Sequence, residues 1–181
     1  MAAYLVLLLA VLSRVLPHAL QSTSVGFTAV GGGLLFFGAR RGRWETVLAV
    51  LALMATDVYL TVYAYGFAFH TDAYLATWVW YAAICLLGHK MLAGKFSALK
   101  AGGAVLASST SFFVISNFMV WTGGMYSHSL AGLGACYAAA IPFYANDAMS
   151  TAITVGALFG LPALAASVAQ TIRESQHQNF A

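Results

Sequence analysis

Charged side chains are scarce in this sequence of 181 residues. It contains 8 lysines and arginines and 5 acidic residues, 7% of the chain, whereas 61% of the residues are hydrophobic. A soluble domain of this size needs far more charge to stay in solution. The composition excludes a soluble enzyme or soluble binding module, and it predicts a single transmembrane domain over residues 1–181. The net charge of +3 does not indicate a nucleic-acid partner, because the basic residues fall in short loops beside apolar segments.

Catalytic and metal-binding motifs are also missing. The sequence has no His-Glu-x-x-His, no paired catalytic carboxylates and no nucleophile motif, and no Gly-Lys-Ser/Thr follows the glycines at 31–33. We therefore expect neither an enzyme nor a bound cofactor or metal. Cys85 and Cys136 both lie in apolar surroundings, which favours buried packing thiols, with a disulfide as the alternative.

Apolar segments fill most of the chain. They predict an all-α membrane protein, a six-helix transmembrane bundle with helices at about 3–20, 25–39, 45–67, 74–92, 101–122 and 147–172. Helices 5 and 6 are joined by a long apolar connection, in which "SLAGLGACYAAAIPFY" predicts a short helix. This helix is either interfacial or re-entrant, because irregular backbone at membrane depth has to be satisfied by protein or by a water-filled cavity.

Lysine and arginine are distributed unevenly among the loops. Seven of the eight lie in alternate loops or after the last helix, namely Arg40, Arg41, Arg43, Lys90, Lys95, Lys100 and Arg173. The loops at 17–24, 68–73 and 123–146 contain none. By the positive-inside rule, both termini are predicted to be cytoplasmic.

Two charges lie within predicted membrane helices. Arg14 is in helix 1 and Asp57 is in helix 3, at similar depths because both helices run in the same direction. Charges inside a span usually face the bundle interior with a partner, so we expect an Arg14–Asp57 pair. The pair either fixes helix register only or holds a binding-site charge in place.

Aromatic residues are concentrated at the outer end of helix 3 and the start of helix 4. Tyr65 lies two helical turns from Asp57 on the same face, and Trp78 lies early in helix 4. The cluster forms either the ordinary aromatic belt at the headgroup level or the wall of an outer pocket.

Polar residues interrupt helix 5 in "SSTSFFVISNFMVW". Ser109, Thr110, Ser116 and Asn117 fall on one stripe at helical periodicity, whereas Ser108 is better explained by helix–helix contact. An amide has donors and acceptors that need several partners. Asn117, just below Trp121 near the outer boundary, is therefore the strongest candidate for contact with a ligand.

Four segments resemble an uncharacterised bacterial family of small integral membrane proteins. They are "SRVLPH" at 13–18, "FTAVGGGLLFFGA" at 27–39, "SNFMVW" at 116–121 and "MYSHSLAGLGACYAAAIPFY" at 125–144. More distantly, the family is similar to the substrate-binding S components of energy-coupling-factor (ECF) vitamin transporters. That resemblance implies six helices, cytoplasmic termini and an outward-facing pocket. Helix 1 has no Ala-x-x-x-Ala pattern of the kind that docks S components on their coupling subunit.

The resemblance implies a multi-pass uptake protein of the bacterial cytoplasmic membrane that binds a small vitamin or cofactor-type solute. The first outer loop, with His18, and the 125–144 connection, with Tyr126, would complete the pocket. Its partners would be the solute, the lipid bilayer and an energy-coupling module or other membrane subunits. The alternative is a structural or accessory subunit of a larger membrane complex.

The charge distribution generates a labelling prediction. Cysteines introduced at Ser22 and Ser127 should react with impermeant thiol reagents added to intact cells, because both positions lie in outer loops. A cysteine at Gly42, in a basic loop, should stay unlabelled until the membrane is opened. Labelling of Gly42→Cys in intact cells contradicts the orientation.

Overall fold

The chain folds into helices only, within the part that the structure describes. The computed structural model describes residues 1–19 and 27–179. Seven α-helices occupy these ranges: α1 Ala2–Ala19, α2 Val30–Arg40, α3 Thr46–Tyr59, α4 Thr71–Leu92, α5 Ala98–Thr122, α6 Leu130–Val155 and α7 Leu161–Asn179. The π-helical turn Leu60–Ala64 extends α3, and the π-helical turn Gly156–Gly160 joins α6 to α7 without a break. The helices therefore form six continuous rods.

Four of the six rods are long and apolar enough to cross a membrane. These are Arg43–Ala64, Tyr74–Leu92, Ala98–Thr122 and Leu130–Ser175. The apolar part of α1, Ala2–Leu16, is shorter. The 11 residues of α2 rise only about 16 Å, about half the hydrocarbon thickness of a bilayer. A helical membrane protein with six helices is thus confirmed, and within the described residues length and composition support four of them as spans.

The segment between helices 5 and 6 differs from the sequence prediction. The structure has no separate short interfacial or re-entrant helix there, because α6 begins at Leu130 and runs through residues 130–144 without interruption. Ser129 caps its first turn by accepting a hydrogen bond from the Gly132 N–H at 3.1 Å. Pro142 resembles a helix boundary in the sequence, but its ring lies on an exposed face and the helix continues past it.

The short helix α2 lies at the centre of the bundle. Every residue from Val30 to Ala39 is buried. Its large side chains, among them Leu34, Leu35 and Phe37, are fully buried in the core. A helix that is buried on every side is surrounded by other helices, which here are α1, α4, α5 and α6.

Glycine brings α2 and α4 into backbone contact. A Cβ atom built on Gly38 would lie 1.8 Å from the Cys85 carbonyl oxygen of α4. Conversely, a Cβ atom on Gly88 of α4 would lie 2.2 Å from the Leu35 carbonyl oxygen. Neither position has room for a side chain, so these glycines fix the crossing of the two helices.

The other glycines of α2 face different neighbours. Gly31 and Gly32 contact Thr151 and Thr154 of α6, and Gly33 lies against Ala10 of α1. The packing of this glycine-rich segment on three sides makes it a tight helix crossing. Cys85 and Cys136 are buried free thiols, which resolves the choice between a disulfide and packing.

The α2–α4 contact predicts a glycine-specific loss of stability. Gly38→Ala should lower the free energy of unfolding by about 3 kcal/mol, near the upper end for overpacking, because the new methyl group meets backbone and not a movable side chain. Gly102→Ala in α5 is the control, since a Cβ there meets nothing within 4 Å. Thermal unfolding in detergent measures both variants. Equal melting temperatures for Gly38→Ala and the parent would contradict the backbone contact.

Candidate functional site

Arg14 and Asp57 form an ion pair inside the bundle. Arg14 Nη1 lies 2.5 Å from Asp57 Oδ1. The Asp57 side chain is 1% exposed and the Arg14 side chain is 23% exposed. A buried carboxylate without a counter-charge would be very costly at membrane depth, so the pair allows both charges to remain there. The pairing predicted from matched helix depth is confirmed.

Two aromatic residues of α4 complete the hydrogen bonding of Asp57. Trp78 Nε1 donates to Asp57 Oδ2 at 3.0 Å, and the Tyr81 hydroxyl donates to the same oxygen at 3.2 Å. Arg14 Nη1 also donates to the Tyr81 hydroxyl at 3.0 Å. The network joins α1, α3 and α4, and both carboxylate oxygens have partners. Charge-assisted bonds of this kind are the stronger class of hydrogen bond, so the network holds the ion pair rigidly.

Further aromatic rings extend from this network. Phe69, Tyr74 and Trp78 stack with centroid separations of 5.0–6.1 Å. The Tyr74 hydroxyl lies 2.6 Å from Thr61 Oγ1. Tyr65 lines the same cleft of about 470 Å³ as Asp57 and Thr61. The three residues predicted to share one face of helix 3 therefore do so, despite the π-helical turn between them.

A cavity of about 280 Å³ lies beside the ion pair. Its walls consist mainly of aromatic rings, hydroxyl groups and the three charged side chains of Arg14, Asp57 and Asp147. The other lining residues are Thr28, Val30, Gly31, Tyr74, Thr77, Trp80, Tyr81 and Phe112. It lies in the half of the bundle where α1 and α3 end and α2 and α4 begin. The basic loops lie at the other end. Four lining residues, Arg14, Thr28, Asp57 and Tyr74, also line the cleft that contains Tyr65.

A second cavity of about 140 Å³ lies between α5 and α6. It shares Phe112 and Asp147 with the larger cavity, so the two are adjacent. Asn117 and Ser116 line it, as the polar stripe predicted. The Asn117 amide also donates to the Phe113 carbonyl oxygen at 2.8 Å, so its own helix satisfies one of its donors.

The polar stripe of helix 5 is only partly as predicted. Thr110 is exposed and its hydroxyl lies 2.9 Å from that of Tyr144. Ser108, which the sequence excluded from the stripe, is fully buried next to Gly31. The prediction of a single internal face is wrong because α5 contacts both α2 and α6, so two faces of the helix are internal.

Three predicted site residues, Trp78, Trp121 and Tyr126, line neither the two cavities nor the cleft. Trp121 Nε1 donates to the Ser127 carbonyl oxygen at 2.9 Å, and its ring packs against His128. Tyr126 is half-buried in the α5–α6 connection. The side chain of His18 lies outside the described residues. The structure therefore brings together Arg14, Asp57 and Trp78, with Tyr65 and Asn117 in adjoining spaces.

Sequence reasoning did not select Asp147, Trp80, Tyr81 or Phe112 as site residues. Asp147 carried a usable signal, because a carboxylate in the apolar stretch "FYANDAMS" is expensive at membrane depth. We placed it at the first residue of helix 6, where an acidic residue is ordinary. Because α6 begins at Leu130, Asp147 is internal to the helix.

The chemistry of this site suits binding. Aromatic faces provide stacking and apolar contact, and the charged and hydroxyl groups provide orientation. The described residues contain no group of three or more His, Cys, Asp and Glu side chains placed to hold a metal.

The ion pair predicts a non-additive pattern of stability. Arg14→Leu and Asp57→Asn should each lower the free energy of unfolding by about 3–5 kcal/mol. The first leaves the Asp57 carboxylate without its counter-ion, and the second leaves the Arg14 guanidinium without its counter-ion. The double variant should recover part of that loss. The surface pair Arg41–Glu45, at 2.9 Å with side chains 31% and 33% exposed, is the control. Its cycle should give a coupling of about 0–1 kcal/mol. Additive losses at Arg14 and Asp57 in thermal unfolding would contradict the coupling.

Comparison with protein families gives one match. A family model described as a family of unknown function (DUF6580) matches residues 1–174. No curated protein and no solved structure matches the chain. Since the match covers nearly the whole chain, the chain belongs to the DUF6580 family.

Proposed function

We propose that this protein is a membrane uptake protein that binds a small vitamin or cofactor-type solute. The observation that carries the proposal is the aromatic-walled cavity beside the Arg14–Asp57 pair, at membrane depth. Cavities that combine apolar walls with a few convergent polar groups are the usual form of small-molecule sites.

The size of the cavity favours a small solute. At about 280 Å³ it is close to the lower end of ligand pockets, which begin at roughly 300 Å³. The adjoining cavity of about 140 Å³ would hold a substituent. Trp80 and Phe112, whose ring centroids are 4.8 Å apart, offer aromatic faces for a planar ring.

The polar groups would set the orientation of the solute. Arg14 and Asp57 hold each other in a fixed position, so they present an ordered dipole and not a mobile charge. Thr77 adds a hydroxyl to the wall, and Asn117 adds an amide in the adjoining cavity. Preorganised polar groups bind with little loss of side-chain entropy.

The direction of transport follows from the charge distribution. The positive-inside rule assigns the basic loops to the cytoplasmic side. The cavity lies in the opposite half of the bundle, which is therefore the outer half. The site would therefore load from outside, as in an S component of the bacterial cytoplasmic membrane. Because helix 1 has no Ala-x-x-x-Ala pattern, the energy would come from an atypical coupling module or from a mechanism internal to this chain.

A second candidate function is that of an accessory subunit in a larger membrane complex. An apolar groove of about 340 Å³ runs along α5 and α6 on the lipid-facing side. Small residues such as Gly102, Ala152 and Gly156 line it, and such grooves allow close approach of another helix. Purification with stoichiometric protein partners and no bound solute would favour this function.

The proposed function predicts that a bulky residue in the cavity blocks binding. Small molecules that copurify with the parent should be identified by mass spectrometry, and their affinity measured by calorimetry. Thr77→Trp should weaken that affinity about tenfold or more, because the indole occupies the cavity.

Val79→Trp is the matched control, because Val79 is 69% exposed two residues along the same helix. It should bind as the parent does. Unchanged affinity in Thr77→Trp would show that the solute binds elsewhere.

A further inference from the structure

Four buried side-chain oxygens have no hydrogen-bond partner within the described part of the protein. They are Ser108 Oγ, Ser109 Oγ, Asp147 Oδ2 and Thr151 Oγ1. Ser108, Ser109 and Thr151 are fully buried, at 0% exposure. Buried polar atoms are nearly always hydrogen-bonded, so four unpaired oxygens on two adjacent helices need a physical explanation.

The hydroxyls of Ser108 and Thr151 approach each other where α2, α5 and α6 meet. A Cβ atom built on Gly31 would lie 2.7 Å from Thr151 Oγ1 and 3.1 Å from Ser108 Oγ, so both hydroxyls approach the same point. Asp147 and Thr151 are one helical turn apart on α6 and share a face. Ser109 and Asp147 both line the smaller cavity. Gly31, which has no side chain, lies against both of these hydroxyls and also lines the larger cavity.

Neighbouring hydroxyls in the bundle behave differently. Thr154 Oγ1 donates to the Ser150 carbonyl oxygen at 2.8 Å, and Ser111 Oγ donates to that of Ser108 at 3.0 Å. Bonding to the preceding turn is the usual state of Ser and Thr in a helix. The hydroxyls of Ser108, Ser109 and Thr151 make no such bond. The lone pairs of these three hydroxyl oxygens are therefore available to a ligand.

The charges of the cavity do not balance. Three charged side chains line it, and Arg14 and Asp57 neutralise each other. An ionised Asp147 would therefore contribute one uncompensated negative charge at membrane depth, which is expensive in a low dielectric. One additional positive charge would balance it.

We propose that Asp147, Ser108, Ser109 and Thr151 form a binding site for a monovalent alkali cation, Na⁺ or K⁺. Carboxylate and hydroxyl oxygens are hard ligands that suit hard cations, and the four come from two helices packed on the glycine face of α2. The single carboxylate matches a charge of one, whereas a divalent ion would leave a positive charge unbalanced. Protonation of Asp147 would neutralise the acid, and Ser109 is close enough to pair with it, but the hydroxyls of Ser108 and Thr151 would remain unpaired.

The site adjoins the proposed solute cavity. Asp147 lines both cavities, so a bound cation would lie next to a bound solute. Coupling of cation and solute binding would rest on the proposed function. The cation site itself does not, and it is tested without solute.

The test is thermal unfolding of the purified protein in detergent, in NaCl, KCl or choline chloride at equal concentration and pH. Melting temperature should rise with the concentration of Na⁺ or K⁺ and not with that of choline, because a cation that binds the folded state stabilises it. Asp147→Asn should weaken the derived cation affinity about tenfold or more, since it removes the charged ligand. Thr151→Val removes one hydroxyl at constant shape and should weaken the affinity less.

Thr154→Val is the matched control. It also replaces a buried hydroxyl of α6, but one already bonded to its own helix, and it should keep the full cation response. Equal melting in the three salts would mean that the oxygens hold only water or a proton, and it would overturn the proposal. An undiminished response in Asp147→Asn would also overturn it. If Asp147→Asn does not fold, an undiminished response in Thr151→Val decides against the site.

Discussion

The close approach of α2 to its neighbours is the constraint on which the rest of this structure depends. At Gly38 and Gly88 the backbones of α2 and α4 touch, and Gly31, Gly32 and Gly33 bring α6 and α1 against other sides of the same helix. In a bilayer, packing of this kind replaces the hydrophobic effect as the force that joins helices. Because α2 is short and central, the positions of α1, α4 and α6 around it also set the distances among Arg14, Tyr81 and Asp147.

Two carboxylates, the fully buried Asp57 and the partly buried Asp147, occupy the interior in contrasting ways. Asp57 has a counter-ion and two aromatic donors, so its charge is fully compensated and its geometry is fixed. Asp147 Oδ2 has no partner and adjoins hydroxyls that have none. A saturated network stabilises a fold, whereas an unsaturated one leaves binding capacity. The proposed roles differ accordingly: Asp57 would be mainly architectural and orienting, and Asp147 would bind a ligand.

The aromatic residues of α4 serve both roles. Trp78 and Tyr81 donate hydrogen bonds to Asp57, while Trp80, on another face, packs against Phe112 in the cavity wall. The sequence offered a choice between a headgroup belt and a pocket wall for this cluster. Tyr74, Trp80 and Tyr81 of α4 line the cavity, so this part of the cluster forms a wall. Tyr59 and Tyr63, near the outer end of helix 3, are exposed and line neither of the two cavities, so the wall does not account for the whole cluster.

The sequence by itself determined the membrane class, the six helices and the Arg14–Asp57 pair, because composition, apolar segment length and helical rise are local quantities. It also placed Asn117 on an internal face, since helical periodicity is local too. Only the tertiary structure decided that α6 continues through residues 130–144, that α2 is enclosed, and that Ser108 Oγ and Asp147 Oδ2 are buried without a partner. Those features depend on which helices lie beside each other. Contacts between residues 31, 108 and 151 are set by packing across the bundle, and no periodicity within one helix encodes them.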